Sequence, residues 1–223
     1  MIIKVCGLKQ PENIREVENL GVDMTGFIFY KKSSRYVSLL PSHAGTIPDY
    51  AGKELTNKGK SRCKRVGVFV DEMPQTIVSM VYNYGLDYIQ LHGNETVELI
   101  DNLRSTIVPD IRADIKFIKA INVSCADDVK RWRKYEGKAD MLLFDTQGTK
   151  VGGNGTQFDW SILDDYDGNI PFLLSGGIGP DDATAILDIS HPMFAGVDLN
   201  SRFEISPGIK DINLLSSFIN KLR

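Results

Sequence analysis

Long apolar runs are missing from this chain. No stretch approaches the roughly 20 consecutive apolar residues that a membrane-spanning helix needs, so no membrane-embedded segment is expected. The opening MIIKVCGLKQ lacks the extended apolar segment and small-residue cleavage site of a signal peptide. Cysteine is scarce. Cys6, Cys63 and Cys125 are odd in number and far apart, with no CxxC pair, which excludes a disulfide framework or a cysteine-rich zinc site. Reduced thiols in a cytoplasmic protein are the expectation. The three histidines have no ligand spacing, so no metal site is expected. Excess positive charge is absent too. Lys and Arg total 26 against 29 Asp and Glu, a net charge of −3, which argues against a broad nucleic-acid-binding face. No Walker A motif occurs, and Gly7-Leu8-Lys9-Gln10 follows the first apolar run where a dinucleotide fold would carry GxGxxG. Asn94-Glu95-Thr96, Asn122-Val123-Ser124 and Asn154-Gly155-Thr156 match the glycosylation sequon and are read as chance matches.

What is present is a regular alternation. The chain has 223 residues, 42% hydrophobic and 25% charged. That is ordinary for a globular protein and long enough to bury one large core. Strands are expected at 2–6, 24–30, 65–70, 87–91, 115–121, 140–144, 171–174 and 194–199. Helices are expected at 11–20, from about Ser38, and at 74–84, 95–105, 126–134, 180–189 and 211–222, with a short one from Asp159. Residues 53–64, KELTNKGKSRCK, read as an exposed basic loop. Eight strand–helix units, their strands 22–41 residues apart, imply a parallel sheet. In this length they fit a single (β/α)8 TIM barrel spanning 1–223. An open doubly wound sheet is the rival fold.

In such a barrel, chemistry collects at the C-terminal ends of the strands. The polar residues there are Cys6, Arg35, Asp71, His92, Asn122, Asp145, Ser175-Gly176-Gly177, Asp198 and Asn200-Ser201. Each has a plain structural alternative. Cys6 is a small core residue, or a base or nucleophile if a cation or helix end favours its thiolate. Asp145 caps a turn, or is a general acid in a partly buried place. His92 shuttles protons, or is a hydrogen-bonded structural histidine. The Ser175-Gly176-Gly177-Ile178-Gly179-Pro180 turn joins a strand to a helix. There, backbone N–H groups and the helix dipole can hold a phosphate, or the glycines make only a tight turn. The loop Gly152-Gly153-Asn154-Gly155 can close over the same place.

These pieces resemble one family closely, phosphoribosylanthranilate isomerase of tryptophan biosynthesis. The matching segments are Lys4-Val5-Cys6-Gly7-Leu8, Ser33-Ser34-Arg35-Tyr36-Val37, Gln90-Leu91-His92-Gly93 and Phe144-Asp145-Thr146. They continue with Gly152-Gly153-Asn154-Gly155, Leu174-Ser175-Gly176-Gly177-Ile178, Gly196-Val197-Asp198 and Pro207-Gly208-Ile209-Lys210-Asp211. They stand in the family's order along nearly the whole chain.

The resemblance implies a TIM barrel that converts N-(5-phosphoribosyl)anthranilate to 1-(2-carboxyphenylamino)-1-deoxyribulose 5-phosphate by an acid/base Amadori rearrangement. It implies Cys6 as general base, Asp145 as general acid and Arg35 at the anthranilate end. It places Asp198 near the substrate nitrogen, and Gly153, Gly155, Gly176 and Gly177 around the phosphate; Ser175, Asn200 and Ser201 are added to the substrate-binding residues from their places after the seventh and eighth strands, where barrels commonly hold a phosphate. His92 joins the substrate-binding set. A small phosphosugar is then the only partner expected, with no nucleic acid, no membrane and no metal or redox cofactor, on a monomer or homodimer. The chain departs from the family pattern at Ser34, where proline is usual, and at Asn154, where serine or threonine is common. It departs again at Asn200-Ser201-Arg202-Phe203-Glu204, where S-S-G-V-E is usual. Rival readings are another phosphosugar isomerase or epimerase and a non-catalytic phosphate-binding barrel.

Overall fold

A computed structural model describes residues 1–37, 63–108, 110–146 and 160–223. Eight strands run in one direction: β1 (Ile2–Cys6), β2 (Met24–Ile28), β3 (Lys64–Phe69), β4 (Tyr88–Leu91), β5 (Lys116–Asn122), β6 (Met141–Asp145), β7 (Phe172–Ser175) and β8 (Phe194–Leu199). Each pairs in parallel with its sequence neighbours, and β8 pairs with β1 to close the barrel. Outside it lie α1 (Pro11–Asn19), α2 (Pro74–Tyr84), α3 (Val97–Ile107), α4 (Ala126–Val129), α5 (Ala183–Leu187) and α6 (Ile212–Leu222). The expected TIM barrel is present. Among the described residues no helix is long and apolar enough to cross a membrane.

Alternation along the strands divides the core in two. One set of side chains faces the helices, as Leu142 and Phe144 of β6 do. The other fills the lumen, where Met24, Val66, Tyr88, Ile118, Ala120, Met141, Leu143 and Leu173 pack together. That same period carries forward to the strand ends. Two residues past Leu143 is Asp145, two past Tyr88 is Gln90, and two past Leu173 is Ser175. The lumen-facing phase therefore places polar side chains at the barrel mouth.

Helix ends follow local chemistry. Pro74 opens α2, and Gly85 closes it in the left-handed region at φ 57°. Thr96 caps α3 by accepting from Leu99 N at 3.4 Å. This helix begins two residues later than expected, because Glu95 is spent elsewhere. Its carboxylate accepts from the N–H groups of Gly93 (2.9 Å) and Asp71 (3.0 Å) and takes the buried Lys119 ammonium at 2.8 Å. Lys119 also donates to Gly93 O at 2.7 Å. This buried network pins the turn that carries His92.

Other expectations are corrected. The helix expected at 126–134 is only α4, followed by a 3-10 turn at Lys130–Tyr135. That tighter winding brings Trp132 onto Tyr166, ring centroids 5.5 Å apart, with its indole N–H donating to Asp167 at 3.0 Å. The helix expected at 180–189 shrinks to α5, because the Asp182 carboxylate accepts from Gly179 N at 2.6 Å and holds the preceding residues in a turn. The short helix from Asp159 is a 3-10 turn over Trp160–Asp165. The basic loop ends before Lys64, whose N–H donates to Asp23 O at 2.9 Å as β3 begins. The helix from Ser38, the rest of that loop through 62, and the glycine cover with Gly153, Asn154 and Gly155 lie outside the described residues. One element had no counterpart in the sequence reading, an antiparallel hairpin of β9 (Glu204–Ser206) and β10 (Ile209–Lys210).

Candidate active site

The C-terminal mouth of the barrel holds a cavity of about 220 Å3. Cys6, Arg35, His92, Asp145, Ser175, Gly176, Gly177, Asp198, Asn200 and Ser201 all line it, joined by Ile28, Val68, Gln90 and Ile178. Every expected site residue among those described is thus gathered in one place. Asp71 and Asn122 are not in the lining. Asp71 instead accepts from Asn94 N at 2.7 Å and stiffens the His92 turn, and Asn122 is exposed.

Cys6 ends β1 and is buried. Its thiol has room because its partner across the ladder is Gly26. A Cβ on Gly26 would stand 2.7 Å from Cys6 Sγ. Burial pushes the Cys6 thiol up from its ordinary pKa, Asp198 adds to that rise, and Lys4 and Lys210 pull against it. Lys4, two residues back on the same face of β1, is fully buried, with its Nζ 2.8 Å from Asp198 Oδ2. Its ammonium is held above the usual lysine pKa. Burial works against the charge, but Asp198 and the Cys6 sulfur outweigh it.

Asp145 ends β6 on the far side of the mouth, three strands round from β1 through β7 and β8. Its Oδ2 lies 3.1 Å from His92 Nε2, and His92 Nδ1 lies 3.0 Å from the Gln90 amide. With the Gln90 amide donating to Nδ1, the His92 Nε2–H donates to Asp145. Gln90 is buried, and its Oε1 has no hydrogen-bond partner among the described residues.

Arg35 reaches the cavity from the loop after β2 and is gripped bidentately by Glu204, Nε to Oε1 at 2.9 Å and Nη2 to Oε2 at 2.6 Å. Glu204 also accepts from Lys210 Nζ at 2.7 Å and Gly208 N at 3.1 Å. Lys210 donates to Asn200 Oδ1 at 2.8 Å. Burial pushes the Glu204 carboxyl up, but Arg35 and Lys210 outweigh it and hold it below the usual carboxylate range. The hairpin β9–β10 thus fixes where the Arg35 guanidinium points. Sequence reasoning did not assign roles to Lys4, Gln90, Glu204 or Lys210. For Lys4 and Gln90 the signal was available, a polar residue in the lumen phase of an apolar strand.

At the third side of the mouth, Gly176 and Gly177 adopt φ of 94° and 68°, a conformation that side chains resist. The Thr146 hydroxyl donates to Ser175 O at 3.0 Å and Gly176 O at 3.2 Å, fixing that turn against β6. Arg202 is exposed, and its Nε lies 3.0 Å from where a Cβ on Gly179 would stand. It therefore overlies the glycine turn without lining the cavity. Among the described residues no three His, Cys, Asp or Glu side chains group as a metal would require. Chemically the mouth offers a thiol beside a cation, an acid paired with a histidine, a guanidinium for an anion and a glycine turn for a second anion.

Known proteins carry the same arrangement of chain. The family model described as N-(5'phosphoribosyl)anthranilate (PRA) isomerase matches residues 3–221. An N-(5'-phosphoribosyl)anthranilate isomerase of Parabacteroides distasonis is 44% identical over 222 residues, covering 100% of this chain and 93% of that one. A protein of the same name from Phocaeicola vulgatus is 41% identical, covering 100% and 98%. The crystal structure of phosphoribosyl anthranilate isomerase from Thermotoga maritima superposes with a TM-score of 0.77 at 31% identity, covering 100% and 98% of the two chains. A phosphoribosyl anthranilate isomerase crystallised with reduced 1-(o-carboxyphenylamino)-1-deoxyribulose 5-phosphate superposes with a TM-score of 0.73 at 29% identity, with the same coverage. The match extends over nearly every residue, barrel and mouth together, and the chain belongs to the phosphoribosylanthranilate isomerase family.

Proposed function

We propose that this barrel isomerises N-(5'-phosphoribosyl)anthranilate to 1-(2-carboxyphenylamino)-1-deoxyribulose 5-phosphate, with Asp145 as the acid and Cys6 as the base. The isomerase activity itself follows from the family: the chain is an enzyme of tryptophan biosynthesis. The residue roles are our reading of the mouth. The observation that carries it is the meeting of Cys6, Asp145, Arg35 and the Ser175–Gly177 turn on one small cavity.

The substrate has two anionic ends, and the cavity has two places for them. Arg35 takes the anthranilate carboxylate. The turn at Ser175, Gly176 and Gly177, with Asn200 and Ser201 beside it, takes the phosphate. Between the two ends the reaction needs one proton given and one removed. Asp145 protonates the furanose ring oxygen, the C1–O bond breaks, and the nitrogen lone pair forms the C1=N iminium. Cys6 as thiolate removes the C2 proton, and the C2–H electrons form C1=C2 while the iminium returns its pair to nitrogen. The resulting enolamine tautomerises to the ketone. His92 donates to Oδ2 of the protonated Asp145 carboxyl and orients it so that its O–H meets the ring oxygen, and Asp198 faces the substrate nitrogen. A TIM-barrel single domain acting in the cytoplasm, as monomer or homodimer, completes the reading.

Turnover is the direct test. The purified protein should consume phosphoribosylanthranilate, followed by loss of its fluorescence. Tight binding of the phosphosugar without consumption would replace the enzyme with a binding barrel.

Glu204 gives a finer check. Because it grips Arg35 without lining the cavity, Glu204→Gln should act through binding. KM should rise about tenfold while kcat falls far less, as expected when an interaction equal in ground and transition states is lost. A kcat loss larger than the KM change would remove Arg35 from the anthranilate end.

A further inference from the structure

We propose that Lys4 is a positioning residue for the base: its buried ammonium, paired with Asp198 and on the same strand face as Cys6, favours ionisation of the Cys6 sulfur to the thiolate that takes the proton. The inference rests on the reading of Cys6 as the base.

Lysine is almost never fully buried unless paired, yet Lys4 is 0% exposed in the middle of an apolar strand. Strand alternation turns Lys4 and Cys6 to the same face. The ladder sets Lys4 directly opposite Asp198 of β8, and the two close to 2.8 Å. That contact is an ion pair without hydrogen-bond alignment. Neither Lys4 Nζ nor Asp198 Oδ1 has a hydrogen-bond partner among the described residues. An ammonium carries three donors, so this one is under-used by the oxygens around it. The Cys6 sulfur, two residues on and turned to the same face of β1, lies within its electrostatic reach.

Stability alone is a poor reason for such a pair. Two charges withdrawn from water gain little over well-packed apolar side chains. A base does give a reason. The charged groups around the sulfur are Lys4 on its own strand, Asp198 on β8, Lys210 on β10 and Arg35 from the loop after β2. Burial and Asp198 oppose ionisation, while Lys4 and Lys210 favour it, Lys4 the more strongly. In the proton transfer the C2–H bond breaks and the S–H bond forms. The thiolate charge disappears as the substrate iminium charge does. Lys4 keeps its protons throughout and contributes field only.

The test titrates Cys6 alone, in a Cys63→Ser/Cys125→Ser background. Thiolate ultraviolet absorbance is followed against pH, with the matching Cys6→Ala protein subtracted. Lys4→Met should raise the midpoint by about one unit or more, the size expected when an adjacent opposite charge is lost. It should also lower kcat/KM at neutral pH by about tenfold or more. Lys4→Arg should recover part of both. Asp198→Asn should lower the midpoint, since it removes an anion and releases the ammonium. An unmoved midpoint in Lys4→Met, even with turnover lost, overturns the proposal and leaves Lys4 a structural ion-pair partner. If Lys4→Met does not fold, Lys4→Met/Asp198→Asn leaves no unpaired buried charge and is compared with Asp198→Asn. A higher midpoint in the double variant supports the proposal, and an equal one overturns it. The titration is independent of turnover, so it separates this inference from the base assignment. Full activity in Cys6→Ala would remove the latter alone.

Discussion

Asp145→Asn should lower kcat by at least about 100-fold while moving KM little, the size expected for a lost general acid. Asparagine is nearly the same shape as aspartic acid. Its amide oxygen can still accept from His92 Nε2, which lies 3.1 Å from Asp145 Oδ2, so the turn and the cavity persist. What disappears is the transferable proton. Without it the furanose ring oxygen would have to leave as an unprotonated alkoxide, so ring opening becomes slow. Steady-state fluorescence kinetics give kcat and KM together, and an unchanged thermal unfolding midpoint confirms the fold. A kcat close to that of the unmodified protein would return Asp145 to the role of a turn residue.

Cys6→Ala should cost at least a similar factor of about 100 in kcat. Alanine removes the sulfur and adds nothing that could take the C2 proton. The substitution is small, and the space it opens lies against Gly26, so stability should change little beside the catalytic loss. The pH dependence is the sharper signature. Burial places the Cys6 thiol above the ordinary cysteine value, so the free enzyme holds it mainly protonated at neutral pH. Below that raised pKa the thiolate fraction grows about tenfold per pH unit. The kcat/KM of the unmodified protein should therefore climb as pH rises from neutrality. The residual activity of Cys6→Ala should lose that climb. A rise that persists in the variant would assign it to another group.

Much of the barrel was legible because its rules are local. Strand period and helix punctuation placed β1, β2, α2 and α6 within a residue or two. The misplacements came where side-chain contacts, most of them reaching beyond the segment, decide the winding. Trp132 draws its turn into a 3-10 form to reach Tyr166 and Asp167. Asp182 holds Gly179 in a turn and shortens α5. Glu95 looked like the first residue of a helix and is a buried acceptor for Lys119. These partners of Trp132 and Glu95 lie 24 or more residues away, whereas Asp182 turns back on a glycine only three residues before it. The candidate site was legible for a related reason. Its carboxylate, thiol and glycine turn sit at strand ends, where the lumen phase of an alternating strand emerges into solvent.

The sequence by itself determined the eight-unit barrel, the polar ring at its mouth and, through its motifs, the family. Period-two alternation does this, because it fixes which side chains enter the lumen before any strand has a partner. Only the tertiary structure decided who supports whom. Arg35 and Glu204, 169 residues apart, meet in a bidentate grip, and His92 meets Asp145 across 53 residues. Lys4 meets Asp198 because β8 returns to pair with β1. Barrel closure is the physical reason: the ring of hydrogen-bonded strands brings the first and last into register, and charges that would be isolated on an open edge become buried neighbours.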